Sequence, residues 1–414
     1  MTQFLKVKSV DEVLKIIGDL EHLPREIIEL GSACGRVLAA EVPAPEAVPH
    51  FDRAVMDGYA VRAQDTFGAS ETLPALLDVA GEVSMGAEIS MQIEPGKAIA
   101  IPTGGMLPAG TDAVVMVEYT HPLDAQTIEV TRAVAPGENV LRKGEDIAVG
   151  EEVLPCGWRL RPQDVGMLAA LGICSVAVYS RPRVAVLSTG DEIVPVSTSI
   201  PPPGKVRDVN SFSLAAQIRE LGGIIGFQAV VEDRLEVLVN FCREAFLEHD
   251  IVVLSGGSSV GMRDFTVRIL EGFPEAELLV HGVAIRPGKP TILARMGKKI
   301  FWGLPGQPVS ALMVCRALVL PSLAVLEGMG GGDSAPELGN TRYGILAGRL
   351  PSVHGRTDYV PVTVARDGEE LLVKPVFGKS SMISVLGRAD GYVIIPAHVE
   401  GLEQGTRVEV YLFS

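Results

Sequence analysis

Between residues 183 and 327 the chain alternates short apolar runs with stretches of helical period, and no other feature restricts its fold as strongly. Residues 184–187, 224–231, 251–254, 278–285, 291–294 and 300–304 have the length and β-branched content of buried strands. Residues 211–221, 234–248, 264–271 and 308–327 have helical spacing, with Asn210 expected to cap the first of these helices. Strands separated by helices build parallel βαβ units whose sheet is covered on both faces. In an open sheet of this kind ligands collect at the carboxyl ends of the strands, so the loops just after the strands are the first place to look for chemistry.

The flanking regions follow other periods. Val10, Val13, Leu14 and Ile17 share one helix face behind Ser9, and Glu12 stands three residues on, as in a capping box. Residues 32–40 are expected to form a second short helix and residues 42–49 a linker rich in turn residues. From 51 to 150 short runs (98–101, 113–118, 127–131) lie between Gly and Pro, an all-β pattern. Helix returns at 161–171 with Pro162 in its first turn. Past the glycine-rich linker at 328–333, residues 342–350, 359–365, 371–376, 392–395 and 408–412 predict a small β domain. The fold class is therefore α/β plus β and multidomain. It has a central open, mostly parallel α/β domain, an inserted β domain and a small C-terminal β domain.

Composition narrows the function. The 414 residues are 47% hydrophobic, which excludes general disorder, and the net charge of −15 excludes a chain-wide nucleic-acid or anionic-membrane surface. A small anionic ligand in a local basic pocket stays compatible with that charge. The five cysteines contain no Cys-x-x-Cys pair, which fits a reducing cytoplasm better than a disulfide framework or structural zinc. Residues 1–19 carry charges and no apolar signal core, and the apolar run at 311–326 is interrupted by Arg316 and Pro321. No membrane association is expected.

Three glycine-rich turns follow strands in the α/β segment: Leu187-Ser-Thr-Gly-Asp-Glu192, Leu254-Ser-Gly-Gly-Ser-Ser-Val-Gly261 and Gly303-Leu-Pro-Gly-Gln-Pro308. Any one alone is an ordinary connection, but three at equivalent strand ends point to backbone amides that cradle a phosphate. None has the Walker form or the Gly-x-Gly-x-x-Gly form, and no Gly-x-Ser-x-Gly elbow supports serine-hydrolase chemistry. Asp191, Glu192, Asp233 and Asp264 fall at or just past strand ends, while Asp57 and Asp146 sit in tight turns of the β segment. Such carboxylates serve either as caps and turn residues or as oxygen ligands for Mg²⁺ on a phosphate. Arg286 and Lys289 stand on a proline-bounded turn, which presents two cations rigidly to an oxyanion or else forms a solvated tip. The seven histidines are scattered and show no metal-ligand spacing.

Taken together, these segments resemble the molybdopterin molybdenumtransferase family, the bacterial MoeA-type proteins and the E domain of gephyrin. The matching blocks are Pro49-His-Phe-Asp-Arg-Ala-Val-Met-Asp-Gly-Tyr-Ala60, Ile101-Pro-Thr-Gly-Gly105 with Asp112-Ala-Val-Val-Met116, and Lys143-Gly-Glu-Asp-Ile147. They continue through Ser188-Thr-Gly-Asp-Glu192, Asp208-Val-Asn210, Ser255-Gly-Gly-Ser-Ser-Val-Gly261 with Asp264, Pro287-Gly-Lys-Pro290 and Gly303-Leu-Pro-Gly-Gln-Pro-Val-Ser310. The order is the family's own from about residue 10 to the C-terminus, and eight blocks in order are far more specific than any one.

The resemblance implies a four-domain subunit that forms a homodimer. Residues 1–48 and 150–180 make a split N-terminal domain around an inserted β-rich domain at 49–149. A molybdopterin-binding α/β domain at 181–328 and a C-terminal β domain at 333–414 follow. The implied reaction inserts molybdate into adenylylated molybdopterin with pyrophosphate cleavage, AMP release and Mg²⁺ as cofactor. By position, the family's functional residues fall on Asp57, Asp146, Glu192, Asp233, Asp264, Arg286 and Lys289, with Asp57, Glu192 and Asp264 as metal ligands. Ligand-binding positions fall on Thr189, Gly190, Ser255, Gly256, Gly257, Ser259, Gly261, Pro287, Gly288, Pro305 and Gly306. The family's cleft lies between subunits, so Asp57 is expected to act on the partner's α/β domain. Molybdopterin adenylyltransferase and apo-molybdoenzymes are the implied protein partners. Four positions depart from the family's pattern: Ala54 for a frequent serine, Gly282 and Arg286 for lysines, and Gln307 for asparagine. These departures bear on the choice between molybdate and tungstate. The rival readings are a tungstate-preferring isoenzyme, a molybdopterin adenylyltransferase and a non-catalytic cofactor-binding scaffold.

Overall fold

The computed structural model describes residues 7–87, 91–256, 261–330, 336, 339–368 and 370–413, with the backbone alone at 261–265. At its centre lies a six-stranded sheet built from Arg183–Thr189 (β1), Ile224–Val231 (β2), Ile251–Gly256 (β3), Ala276–His281 (β4), Ile292–Met296 (β5) and Lys299–Leu304 (β6). The spatial order is β2-β1-β3-β6-β5-β4. The first four strands run parallel, and β5 and β4 add on antiparallel. Asn210–Glu220 (α1) and Pro308–Leu326 (α4) cover one face, and Leu235–Glu248 (α2) and Gly261–Glu271 (α3) cover the other. Both faces are apolar because parallel strands are buried on two sides: Val184 and Val186 point to one core, Ala185 and Leu187 to the other.

The core under α4 also contains Val10, Val13 and Ile17 of the first helix and Tyr359, Val385 and Tyr392 of the C-terminal domain. That shared core joins three parts of the chain around the sheet. α4 is long and apolar enough to cross a membrane by length and composition, yet it is buried inside the protein from Val309 to Leu326. It is one continuous helix, as the helical spacing of 308–327 predicts, even though Arg316 and Pro321 interrupt its apolar run. A π-turn at Cys315–Val319 widens the helix just before Pro321, whose ring and missing N–H a regular α-turn would not accommodate.

Before the central sheet, Arg25–Glu29 pairs antiparallel with Ser175–Tyr179, and Val42–Pro43 pairs with Glu152–Leu154. Between these pairings lies a six-stranded β unit with apolar clusters on its two sides. A third six-stranded sheet closes the chain, with Ile285–Arg286 as its edge strand, parallel to Thr357–Asp358.

Three local expectations are corrected. Residues 32–40 hold only the end of a 3-10 turn, Leu30–Ser32, followed by bridges from Val37 to Arg159 and from Leu38 to Val178. Ala33, Val37 and Leu38 imitate a helix face but are buried by neighbours on two sides of an extended segment. α1 already contains Asn210; the carboxylate of Asp208 accepts from the Ser211 amide at 3.1 Å instead. The single strand expected at 278–285 ends at His281, because Gly282 turns the chain at φ +94° before Ile285–Arg286.

Candidate functional site

The ends of β3 and β6 are laced together by one asparagine. Asn210 Nδ2 donates to Ser255 Oγ at 2.8 Å and to the Gly306 carbonyl at 2.9 Å, and Ser255 Oγ donates to the Pro305 carbonyl at 3.1 Å. Beside it, the buried carboxylate of Asp208 accepts from Ser188 Oγ at 2.9 Å and from Ser211 Oγ. A Cβ at Gly256 would lie 1.8 Å from the Thr189 carbonyl oxygen, so β1 and β3 meet here at a distance only glycine permits. Asn210 Oδ1 is buried and has no hydrogen-bond partner among the described residues, the kind of acceptor a ligand satisfies.

In front of these loops opens a cleft of ≈ 1960 Å³. Its walls come from two domains. The α/β domain contributes the two-stranded ribbon of Ile193–Val194 and Val206–Arg207, the turn holding Arg286 and Lys289, and the Pro305–Gly306 loop. Opposite stand His354, Arg356, Asp358, Lys379 and Ser380 of the C-terminal β domain. Among the described residues, Arg207, Arg286, Lys289, Arg356 and Lys379 face only three carboxylates, Glu192, Asp208 and Asp358. Of these, Asp208 and Asp358 are buried and already hydrogen-bonded. In a chain of net charge −15 the cleft is a local region of positive charge, which favours a polyanionic ligand.

Of the residues expected from sequence, Glu192, Arg286, Pro287, Gly288, Lys289, Pro305 and Gly306 line this cleft. Thr189, Gly190, Ser255 and Gly256 sit at the strand ends behind its wall and shape the backbone rather than face the open volume. Thr189 Oγ1 donates to Asp233 Oδ1 at 3.3 Å. Burial pushes the Asp233 carboxyl above its ordinary pKa; the Thr189 bond opposes this, and the charges of Asp191 and Glu192 add to it. Gly257 and Ser259 lie outside the described residues, as do the side chains at Gly261 and Asp264. α3 runs through Asp264, which therefore belongs to the helix and not to its N-cap.

Asp57 and Asp146 lie apart from this cleft, on the inserted β unit. The two turns that carry them are neighbours: Arg53–Ala54 pairs with Val140–Leu141, and the Lys143 amide donates to Asp52 Oδ1 at 2.7 Å. Asp57 Oδ1 accepts from the Thr103 amide at 2.7 Å and from Thr103 Oγ1 at 2.8 Å, which holds its carboxyl below the ordinary range. Sequence reasoning missed the whole C-terminal wall. The available signal was Arg356-Thr-Asp358, charged residues placed where a strand begins.

Comparison with known proteins decides the family. Residues 8–172 match the model of the MoeA N-terminal region (domain I and II), 185–325 that of a probable molybdopterin binding domain, and 343–413 that of the MoeA C-terminal region (domain IV). The molybdopterin molybdenumtransferase of Bacillus subtilis is 32% identical over 97% of this chain and 93% of its own. The chain belongs to the MoeA family. The Nostoc protein of the same description is 36% identical over 80% of this MoeA chain and 77% of the relative. A crystal structure of a molybdopterin biosynthesis moeA protein from Pyrococcus horikoshii OT3 superposes with a TM-score of 0.84 at 32% identity, covering 99% of this chain and 100% of that one.

The four departures of this MoeA chain have definite places. Gly282 adopts φ +94°, accepts from the Lys8 amide at 3.1 Å and is not part of the cleft wall. Arg286 is on the wall and pairs with Asp358 at 3.3 Å. Gln307 accepts a hydrogen bond from Ser380 Oγ and so ties the α/β domain to the C-terminal domain. Ala54 is buried in the inserted unit, its amide donating to the Gly105 carbonyl at 3.0 Å.

Proposed function

We propose that this chain is a molybdopterin molybdenumtransferase that inserts molybdate into adenylylated molybdopterin, with cleavage of the pyrophosphate and release of AMP. The observation that carries the reading is the basic two-domain cleft at the carboxyl end of the sheet of an acidic MoeA-family chain. Adenylylated molybdopterin and molybdate are both polyanionic, and the cleft is large enough to hold them together. Rigid cations and strand-end amides supply positioning and charge neutralisation, and the reading needs no protein nucleophile. Arg286 and Lys289 hold the oxyanion, and the Pro305–Gly306 loop, shaped from behind by Thr189, Gly190, Ser255 and Gly256, brings the backbone close to the nucleotide.

Among the described residues no three His, Cys, Asp or Glu side chains converge as a metal cage. Mg²⁺ carried on substrate phosphates needs only one or two protein carboxylates. Glu192 fits that role: it is the exposed carboxylate on the cleft wall, Asp208 and Asp358 being buried and engaged. Bound there, the ion would offset phosphate charge as AMP leaves. Asp57 and Asp146 are supplied by the partner subunit of a homodimer, which accounts for their distance from the cleft of their own chain.

The test is AMP release from adenylylated molybdopterin and Mg²⁺ with molybdate, tungstate or neither. Oxyanion-dependent release is expected, and the preferred oxyanion settles the specificity. Tight nucleotide binding without release, in the presence of either oxyanion, refutes the transferase and leaves a cofactor-binding scaffold.

A further inference from the structure

Asp358 is 1% exposed, and two arginines share it. Its Oδ1 accepts from Arg356 Nε at 2.9 Å and its Oδ2 from Arg286 Nη1 at 3.3 Å. Arg356 is its neighbour two residues back, whereas Arg286 arrives from the other domain on a strand paired in parallel, Arg286 opposite Asp358. The pairing is held by the main chain as well, the Thr357 amide donating to the Ala284 carbonyl at 2.8 Å. A buried carboxylate is costly unless it is paired, and here each oxygen has its own guanidinium.

We propose that Asp358 is a positioning residue that holds Arg286 and Arg356 side by side as a rigid receptor for a tetrahedral oxyanion. Each arginine gives Asp358 one donor of its five and keeps the rest of its fork for the cleft, which both side chains line. The Arg286 side chain remains 59% exposed and that of Arg356 34%. Two guanidinium planes anchored on one carboxylate converge from two domains without the anion having to order them, and that preorganisation strengthens binding. A lysine at 286 has no fork: one ammonium has to serve both Asp358 and the anion. Asp358 also makes the basic turn and the C-terminal domain one unit at the anion. This inference rests on the reading that the cleft takes molybdate.

Charge and positioning predict opposite signs, which makes the test clean. Asp358→Asn removes a negative charge, so electrostatics alone predicts tighter anion binding. Loss of positioning predicts weaker binding, with the dissociation constant for molybdate rising about tenfold or more. Calorimetric titration of the full chain with molybdate and with sulfate, without pterin, reads the sign directly, alongside thermal unfolding. Arg286→Lys and Arg356→Lys, which keep charge and alter side chains that are not buried, are expected to weaken molybdate in the same direction. They decide the question if Asp358→Asn does not fold. Equal or tighter binding by Asp358→Asn, lysine variants that bind like the wild type, or a wild type that binds neither oxyanion overturns the inference. AMP release is scored separately. Release with unaltered binding in the variants sinks the Asp358 role alone, and weakened variants of a protein that never releases AMP sink the transferase reading alone.

Discussion

Gly288 lies between Arg286 and Lys289 at φ +121°, and a methyl there would sit 2.1 Å from Val314 Cγ2 of α4. Ordinary contact begins at 3.4 Å, so Gly288→Ala requires the turn or the helix to yield by about 1.3 Å. α4 is the stiffer partner. Val314 is fully buried in it and β-branched, with few rotamers to escape into. The turn therefore moves, carrying Arg286 and Lys289 with it. A displacement of about 1 Å at positioning groups costs on the order of 100-fold in rate, so kcat/KM for AMP release should fall by about two orders of magnitude. The unfavourable φ adds about 1–2 kcal/mol and overpacking about 1–3 kcal/mol of destabilisation, visible in the thermal midpoint. Measuring rates well below that midpoint separates the two effects. Val314→Ala removes the obstructing methyl, and the double variant should recover most of the lost rate. A single variant with normal kcat/KM, or a double variant no faster than the single, refutes the steric argument.

Other predictions concern separate parts of the molecule. Asp57→Ala and Glu192→Ala should each abolish AMP release; co-expressed, the two chains should regain about a quarter of wild-type activity through mixed dimers with one intact site, and no recovery would show that Asp57 does not act across subunits. Hydrogen bonding from Arg161, with a further bond from Trp158, brings the Asp164 carboxyl down to about 2. This contribution is present above the unfolded value of 3.8 and is lost as pH falls through the native one. Asp164→Asn should cost about 1–2 kcal/mol at neutral pH, since Arg161 is half exposed, and calorimetry should find that difference shrinking below pH 3.8. The raised carboxyl of Asp233 gives the reverse sign: stability falls as pH rises above 3.8. Asp233→Asn should therefore raise the melting temperature at neutral pH and lose that advantage in acid, and a lower melting temperature at neutral pH would contradict it.

Much of the central domain was legible because its strands and helices repeat at their own periods. Residues 224–231 form a strand as expected, and the capping box of Ser9 and Glu12 forms with bonds of 3.1 and 2.7 Å. Misreadings arose where burial imitates periodicity. Ala33, Val37 and Leu38 are buried at helix-like spacing by an extended segment with neighbours on two sides. Asn210 resembles a cap by type and position, but its amide is occupied by two loops distant in the chain.

By itself, the sequence determined the element types of the central domain, the glycine turns at the strand ends and the rigid turn that carries Arg286 and Lys289. Hydrophobic period, proline and glycine act over a few residues and leave their record locally. Only the tertiary structure decided which of those loops face one another. It set Asp57 and Asp146 apart from the cleft of their own chain and brought Arg286 to Asp358 across 72 residues. No local pattern encodes that meeting. It follows from the core α4 shares with the C-terminal domain and from the strand pairing at Ile285–Arg286, both long-range contacts whose geometry exists only once the domains have packed.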